Sequence, residues 1–457
     1  MKKIVFLILI QIFVSLNLFS QHYFYVSTSN ERLKPNLKEK GTSNDEALNQ
    51  IFNEFKVKSY YQSFPGAKNI ELQNFYEIHL TNNTNIDTFE FLLKNQNIFD
   101  AIYRSDYYVP ACSDPVPIND TWIVNGSVNN DALNLLNAQC AWTITTGSRE
   151  IIVGVIDTEF DTNHEDLINV FADVVGTQTN PQDHGTLVSS CVATGTNNNK
   201  GIAGIGYNTR VKGYHVNGGT LWNGIWNAYL DGIKTINVSW TGIGSYPNIL
   251  AVQEMTNNGV VLVLSAGNTP NTTQHSAYAN IPGVINVSGV DATNNHENTG
   301  HAHNQWVDVC VMSANVTVCK PGDTYGGAWG TSFAAPQVAG VVALIRSIND
   351  NLSPAEIENI IKSSTDTIAD AQLFPGLLGT GRVNAYKVVQ AACATTSQPV
   401  NFINQIVTTN TTIRSCGDIN VQNVKIQNGA KLILGAVSEV LIGSDFEVEL
   451  GSELEIK

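Results

Sequence analysis

The chain has 457 residues, 43% hydrophobic and 14% charged, a composition that suits a packed core and excludes a disordered chain. Its formal net charge of −15 argues against nucleic acid and anionic membrane as partners, since both need a basic footprint. The length exceeds one average domain, so two or three units are expected.

Residues 1–20 carry Lys2 and Lys3, then an apolar run from Ile4 to Phe13 broken by Gln11, then Val14 to Ser20. This is the pattern of a secretory signal peptide: too short for a membrane span, and followed by polar sequence. A secreted protein, extracellular or at the cell surface, is expected, with no later segment apolar enough to cross a bilayer. Export permits disulfides. The cysteines are Cys112, Cys140, Cys191, Cys310, Cys319, Cys393 and Cys416, an odd number, so at least one lacks a partner in the chain. Cys310 and Cys319 flank a short loop and are the expected bridge. Cys191 reads as a free thiol that packs like a small hydrophobe.

Residues 21–112 read as a small α+β unit. A helix is expected from Ser43 to Phe55 and another over 86–99, with strands at Phe75–Leu80 and Ile98–Tyr103. Pro110, Pro115 and Pro117 then mark a linker. The body, 113–394, alternates short apolar strands with helices. The expected strands are Glu150–Ile156, Thr235–Ser239, Val260–Ala266 and Val284–Val290, and the helices 185–194, 220–232 and 247–258. Strands apolar on both faces, separated by helices, predict an α/β, doubly wound, mostly parallel sheet. Residues 395–457 change texture. Thr, Asn, Val and Ile alternate between glycine turns, which predicts an all-β segment of stacked rungs.

Four positions sit where chemistry is usually placed. Asp157 follows the first strand of the body, at a carboxyl end, although an aspartate there also forms turns. His184 precedes a helix, where a histidine is equally a cap. Asn268 closes Val261–Gly267, and an asparagine at such a place also serves a left-handed turn. Ser332 follows Gly330 and Thr331 and opens the run Phe333 to Ile345, so it reads as a helix cap or as a nucleophile. The set, in the order acid, histidine, amide, serine, supplies what acyl transfer needs. Ser332 would attack, His184 would carry the proton, Asp157 would orient the imidazole, and Asn268 with the Ser332 N–H would hold the oxyanion.

These segments resemble the subtilisin-like serine proteases, the subtilase family. The likeness rests on Val155-Ile156-Asp157-Thr158, Asp183-His184-Gly185-Thr186, Ser265-Ala266-Gly267-Asn268 and Gly330-Thr331-Ser332-Phe333-Ala334-Ala335-Pro336, and spans residues 118–393. It implies an endopeptidase acting on polypeptides, with no catalytic cofactor, and a substrate cleft lined by Ser239, Trp240, Thr241, Gly242, Ser265, Ala266 and Gly267. It also implies that residues 21–112 are an inhibitory propeptide, cut between Tyr103 and Pro117, and that the mature protein is a monomer. Asp166 resembles a calcium ligand of some members, and Asn198 lies in a loop like theirs. Oxygen ligands of this kind suit a structural calcium, although three successive asparagines also make an ordinary loop. The segment 395–457 resembles tails that direct surface export or remain as stalks.

Three residues depart from the family pattern. Glu159 stands for a usual glycine and adds a charge near the site, Gln337 stands for a histidine, and Thr241 stands for a cleft-lining glycine and narrows access. Two other readings share the scaffold: a catalytically dead binding protein, and acyl transfer to an amine, as in cyclisation. The co-occurrence of Asp157, His184, Asn268 and Ser332 argues against the first. The second requires exclusion of water.

Overall fold

The computed structural model describes residues 22–36, 42–63, 72–80, 86–95, 98–106, 112, 115–124, 130–176, 184–216, 220–241, 244–270, 273, 275–296, 300–396, 399–436 and 439–456. The signal peptide expected at 1–20 and Gly242 lie outside them. By its internal contacts the chain divides into two units, Met1–Ser113 and Asp114–Lys457.

In the first unit β1 (His22–Ser27), β2 (Val57–Gln62), β3 (Phe75–Leu80) and β4 (Ala101–Asp106) form an antiparallel sheet in the order β2-β3-β1-β4. Helices α1 (Glu46–Glu54) and α2 (Ile86–Asn95) contribute Leu48, Phe52, Phe89 and Leu93 to its core. The Asp45 side chain caps α1, accepting from the Ala47 and Leu48 N–H groups at 3.0 Å, which fixes where that helix begins.

The second unit starts with three short helices, α3 (Thr121–Val124), α4 (Asp131–Leu136) and α5 (Ala138–Ile144). Its main sheet contains β5 (Ile152–Asp157), β6 (Phe171–Val175), β7 (Arg210–His215), β8 (Thr235–Val238), β9 (Val261–Ser265), β10 (Val284–Val290) and β11 (Val309–Met312). A hairpin, β12 (Val316–Lys320) with β13 (Thr324–Ala328), lies apart, and β14 (Thr365–Asp366) with β15 (Arg382–Val383) completes one edge. The strand order is β14-β15-β11-β10-β9-β8-β5-β7-β6, parallel throughout except for the β14–β15 pair. The body is therefore the mostly parallel α/β sheet that the apolar strands predict.

Helices α6 (His184–Val192), α7 (Leu221–Leu230), α8 (Tyr246–Asn257), α9 (Ala335–Ile348), α10 (Pro354–Ser363) and α11 (Ala385–Cys393) connect and cover the strands. Both faces are filled. Val153, Val155, Val261, Val263, Ile285 and Val287 pack in one cluster with α6 and α9, and Ile156, Ile236, Leu262 and Leu264 in a second with Ile225 and Val252 of α7 and α8. The stretch Thr331–Ile348 is long and apolar enough to cross a membrane, at mean hydropathy 1.3, which the sequence reading had excluded for any later segment. It is 83% buried inside the protein and is the core helix of the sheet. Pro336 falls within the first turn of α9, where its missing N–H removes no helical bond, so the bend expected there has no cause.

The C-terminal strands stack in two parallel ladders. One joins β16 (Val400–Val407), β18 (Ile419–Ile426), β20 (Val440–Ile442) and β21 (Phe446–Val448). The other joins β17 (Thr411–Ser415), β19 (Lys431–Ala436) and β22 (Glu453–Ile456). Val421, Val424, Ile426, Leu432 and Leu434 fill the space between them. Asn401 and Asn420 face each other in register, and the Asn420 amide donates to Asn401 Oδ1 at 2.9 Å; Asn423 does the same to Asn404 at 2.8 Å. Like side chains stacked on successive rungs satisfy each other.

The expected Cys310–Cys319 bridge is absent. Both thiols are free and buried, as is Cys191. Cys310 belongs to the interior strand β11 and its Sγ donates to the Leu378 carbonyl, whereas Cys319 belongs to the separate hairpin. Closeness in sequence did not bring them into one element. Cys393 is instead bonded to Cys416, and Cys112 and Cys140 are also in disulfides.

Candidate active site

β5, β8 and β9 all deliver residues at their carboxyl ends, where α6 and the turn before α9 also begin. Asp157 is the last residue of β5 and is fully buried. Its Oδ1 accepts from the Thr158 N–H at 2.7 Å and lies 2.8 Å from His184 Nδ1. A carboxylate only accepts, so Nδ1 carries the proton and Nε2 is left as the acceptor that a general base needs. Oδ2 is buried with no hydrogen-bond partner among the described residues. Positive charge developing on the imidazole is thus its available counterpart.

His184 opens α6, and the next residue explains how closely the helix start can approach β5. A Cβ on Gly185 would lie 2.6 Å from the Glu159 carbonyl oxygen, too near for any side chain. Glu159 itself turns away from the site. It is buried, with Oε1 2.9 to 3.1 Å-class hydrogen-bond contact to His215 Nε2 at 3.0 Å, so the charge that the sequence placed near Asp157 is taken up by a second histidine.

Ser332 lies in a single 3₁₀ turn, Thr331–Phe333, ahead of α9, and no side-chain cap bond is made by it. Its Oγ donates to the Ser239 carbonyl at 3.2 Å, and the Ser239 hydroxyl donates back to the Ser332 carbonyl at 2.8 Å. The Phe333 ring is 5.7 Å from the His184 ring, with Trp240 at 6.5 Å on another side. Serine and histidine therefore share one mouth.

Asn268 is held by a residue that the sequence reading did not single out. Thr331 donates both its N–H, at 2.7 Å, and its hydroxyl, at 2.9 Å, to Asn268 Oδ1, and its Oγ1 accepts from the Gly267 N–H at 3.0 Å. With the oxygen occupied, the amide nitrogen is the free end. A Cβ on Gly330 would come within 3.0 Å of that nitrogen, and Gly330 has φ of 129°, so glycine is needed there on both counts. The adjacent hydroxyl in Thr331-Ser332 was the available signal. What it lacked was any indication that the two loops meet.

Of the residues expected to line a cleft, Ser239, Ser265, Ala266 and Gly267 are buried at the ends of β8 and β9, and Trp240 and Thr241 are exposed beside them. Gln337, where a histidine was expected, is buried in α9 and donates from Nε2 to the Met312 carbonyl at 2.7 Å.

Asp166 and Asn198 are together, though not as two oxygen ligands. Asn198 Nδ2 donates to Asp166 Oδ1 at 2.9 Å and the Ile202 N–H donates to Oδ2 at 2.9 Å. Asp120, also buried, accepts from the Asn197 N–H at 2.9 Å. Burial pushes the Asp166 carboxyl up to about 6 and raises Asp120 as well. Among the described residues no cluster of three or more His, Cys, Asp or Glu is arranged to hold a metal.

Residues 148–386 match the subtilase family, peptidase S8. Thermitase of Thermoactinomyces vulgaris is 33% identical over 271 residues, which cover 56% of this chain and 94% of thermitase. An extracellular protease of Xanthomonas campestris pv. campestris is 30% identical over 318 residues, covering 56% of this chain and 54% of that protein. Among solved structures, a protease of Pseudoalteromonas arctica aligns with a TM-score of 0.51 and 29% identity, over 61% of this chain and all of that one. Subtilases need no catalytic cofactor. With the family match over more than half of its length, the chain belongs to the subtilase family and is a serine endopeptidase.

Proposed function

We propose that this endopeptidase is secreted and cleaves polypeptides through an acyl-enzyme on Ser332. The observation that carries the reading is the 2.8 Å contact between the buried Asp157 and His184 Nδ1, at the mouth that also holds Ser332. His184 takes the serine proton through Nε2 and returns it to the leaving amine, while Asp157 stabilises the imidazolium. The carbonyl oxygen, as it becomes an oxyanion, is met by the Asn268 amide and the Ser332 N–H. Ser239–Gly242 and Ser265–Gly267 hold the substrate backbone. The matured protein is expected to be labelled covalently by a fluorophosphonate, and Ser332→Ala to lose the label. A wild-type protein that takes up no label would sink this reading.

Residues 21–112 act as an inhibitory propeptide and folding aid. Support comes from their forming a separate α+β unit, and from the slow assembly expected of a parallel sheet built on distant contacts. The cut falls between Tyr103 and Pro117, and the released enzyme is a monomer. The segment 395–457 serves surface export or attachment.

A structural calcium beside Asp166 fits the chemistry of that loop. Neither Asp166 nor Asp120 has a cationic side chain as partner among the described residues, and turning the Asn198 amide would present its oxygen to the same place. The sign of the linkage follows from the raised pKa. The folded state keeps the Asp166 proton up to about pH 6 while the unfolded chain loses it near 3.8, so without calcium stability falls as pH rises between these values. Thermal melts are expected to show this fall, its reversal by millimolar calcium, and the loss of both effects in Asp166→Asn. Melts of the wild type indifferent to calcium and chelator would remove the metal from the account.

A further inference from the structure

We infer that Thr241 restricts this protease to substrates with a small side chain on the residue whose carbonyl is attacked. The inference rests on Ser332 being the nucleophile.

β8 and β9 are adjacent and parallel, with Val238 opposite Leu264. The segments that leave their ends both reach the serine. Ser239 exchanges hydrogen bonds with Ser332 at 3.2 and 2.8 Å, and Asn268 is fastened to Thr331 at 2.7 Å. A carbonyl carbon placed about 3 Å from Ser332 Oγ, with its oxygen turned to the Asn268 amide, lies over the gap between these two segments. The side chain on that residue has the gap to enter.

Thr241 crosses it. Its Cγ2 lies 3.1 Å from the point where a Cβ on Gly267 would be, and its Oγ1 3.9 Å from the same point. Ala302 closes the far side: its Cβ is 3.8 Å from that point, and its N–H donates to the Gly267 carbonyl at 2.9 Å. The threonine methyl thus rests against the Gly267 backbone and joins the two walls. A β-branched side chain cannot withdraw freely, since each of its few χ1 positions leaves a heavy atom projecting from Cβ. A hydrogen or a methyl on the substrate can sit above this bridge. An aromatic or long aliphatic group must displace it.

The test uses the matured full enzyme and two fluorogenic peptides that differ only in the residue before the cleaved bond, alanine or phenylalanine. Wild type is expected to favour alanine by at least about 10-fold in kcat/KM, the scale on which a pocket discriminates by one or two carbon groups. Thr241→Gly opens the gap and is expected to raise the phenylalanine-to-alanine ratio by about 10-fold or more. Thr241→Ser keeps the hydroxyl and loses the methyl, so its ratio falls between the two; Thr241→Val keeps the shape and the wild-type ratio. Equal rates on both peptides with wild type, or a ratio unmoved in Thr241→Gly, would overturn the inference. Fluorophosphonate labelling on the same samples separates the causes. Labelled enzyme with an unmoved ratio overturns the role of Thr241 alone, whereas unlabelled enzyme overturns the nucleophile assignment and this inference with it.

Discussion

Ser332→Ala is expected to lower kcat/KM by roughly four to six orders of magnitude, leaving only what the oxyanion donors and substrate binding supply. Folding is expected to survive the change. The Ser332 hydroxyl makes one hydrogen bond, to the Ser239 carbonyl, so its removal costs about 1 kcal/mol in a melt. The reciprocal bond from the Ser239 hydroxyl goes to a backbone carbonyl and is untouched. The same variant reports on maturation. If the enzyme cuts its own linker, Ser332→Ala expressed alone stays full length between Tyr103 and Pro117, and mass spectrometry of the purified protein reads the difference. Activity within 10-fold of wild type would show that the nucleophile lies elsewhere.

Asn268→Ala is expected to cost about 10²- to 10³-fold in kcat, with KM little changed, because the amide meets charge that exists only in the transition state. The substitution has a structural side as well. Thr331 gives its N–H and its hydroxyl to Asn268 Oδ1, and alanine leaves both donors to find other partners. Asn268→Asp separates the two effects. It keeps the oxygen that Thr331 holds and replaces the donating nitrogen by an acceptor that repels an oxyanion. A fall in kcat in both variants, with a stability loss in alanine alone, is the expected pair of results. A kcat for Asn268→Asp close to that of wild type would remove the amide from the oxyanion site.

The parts legible in the sequence share a physical property: their residue choice is dictated locally. β5, β8, β9 and β10 are buried on both faces, so nearly every side chain is apolar and the strands stand out. β7 was not legible. It alternates Arg210, Val211, Lys212 and Gly213, with Gly213 packed against the Phe160 ring, and neither periodicity nor composition marks it as a neighbour of β5. β16 was missed for a related reason, since Asn401, Asn404 and Gln405 lie on its exposed positions. The four residues of the site were readable because each closes or opens an element with a sharp signature. Their second tier was not. Thr331 beneath Asn268, and His215 beside Glu159, act across loops separated by tens of residues, and only the fold sets those pairs. The cysteines make the same point in reverse: Cys310 and Cys319 are near in sequence and apart in structure, whereas Cys393 and Cys416 belong to the last helix of the body and the first turns of the tail.

That last pair changes what shedding of the tail can mean. The disulfide closes the backbone into a ring, spanning 23 positions of sequence, and Arg414 Nε donates to the Thr143 carbonyl at 2.8 Å just beside it. A single hydrolysis anywhere between Cys393 and Cys416 opens the ring but releases nothing, because both fragments remain on the same covalent skeleton. The protease and its β stack then run as one species until a reductant is added, and only a cut beyond Cys416 sets the stack free. In an oxidising exterior, departure of the tail is therefore governed by thiol chemistry as much as by proteolysis.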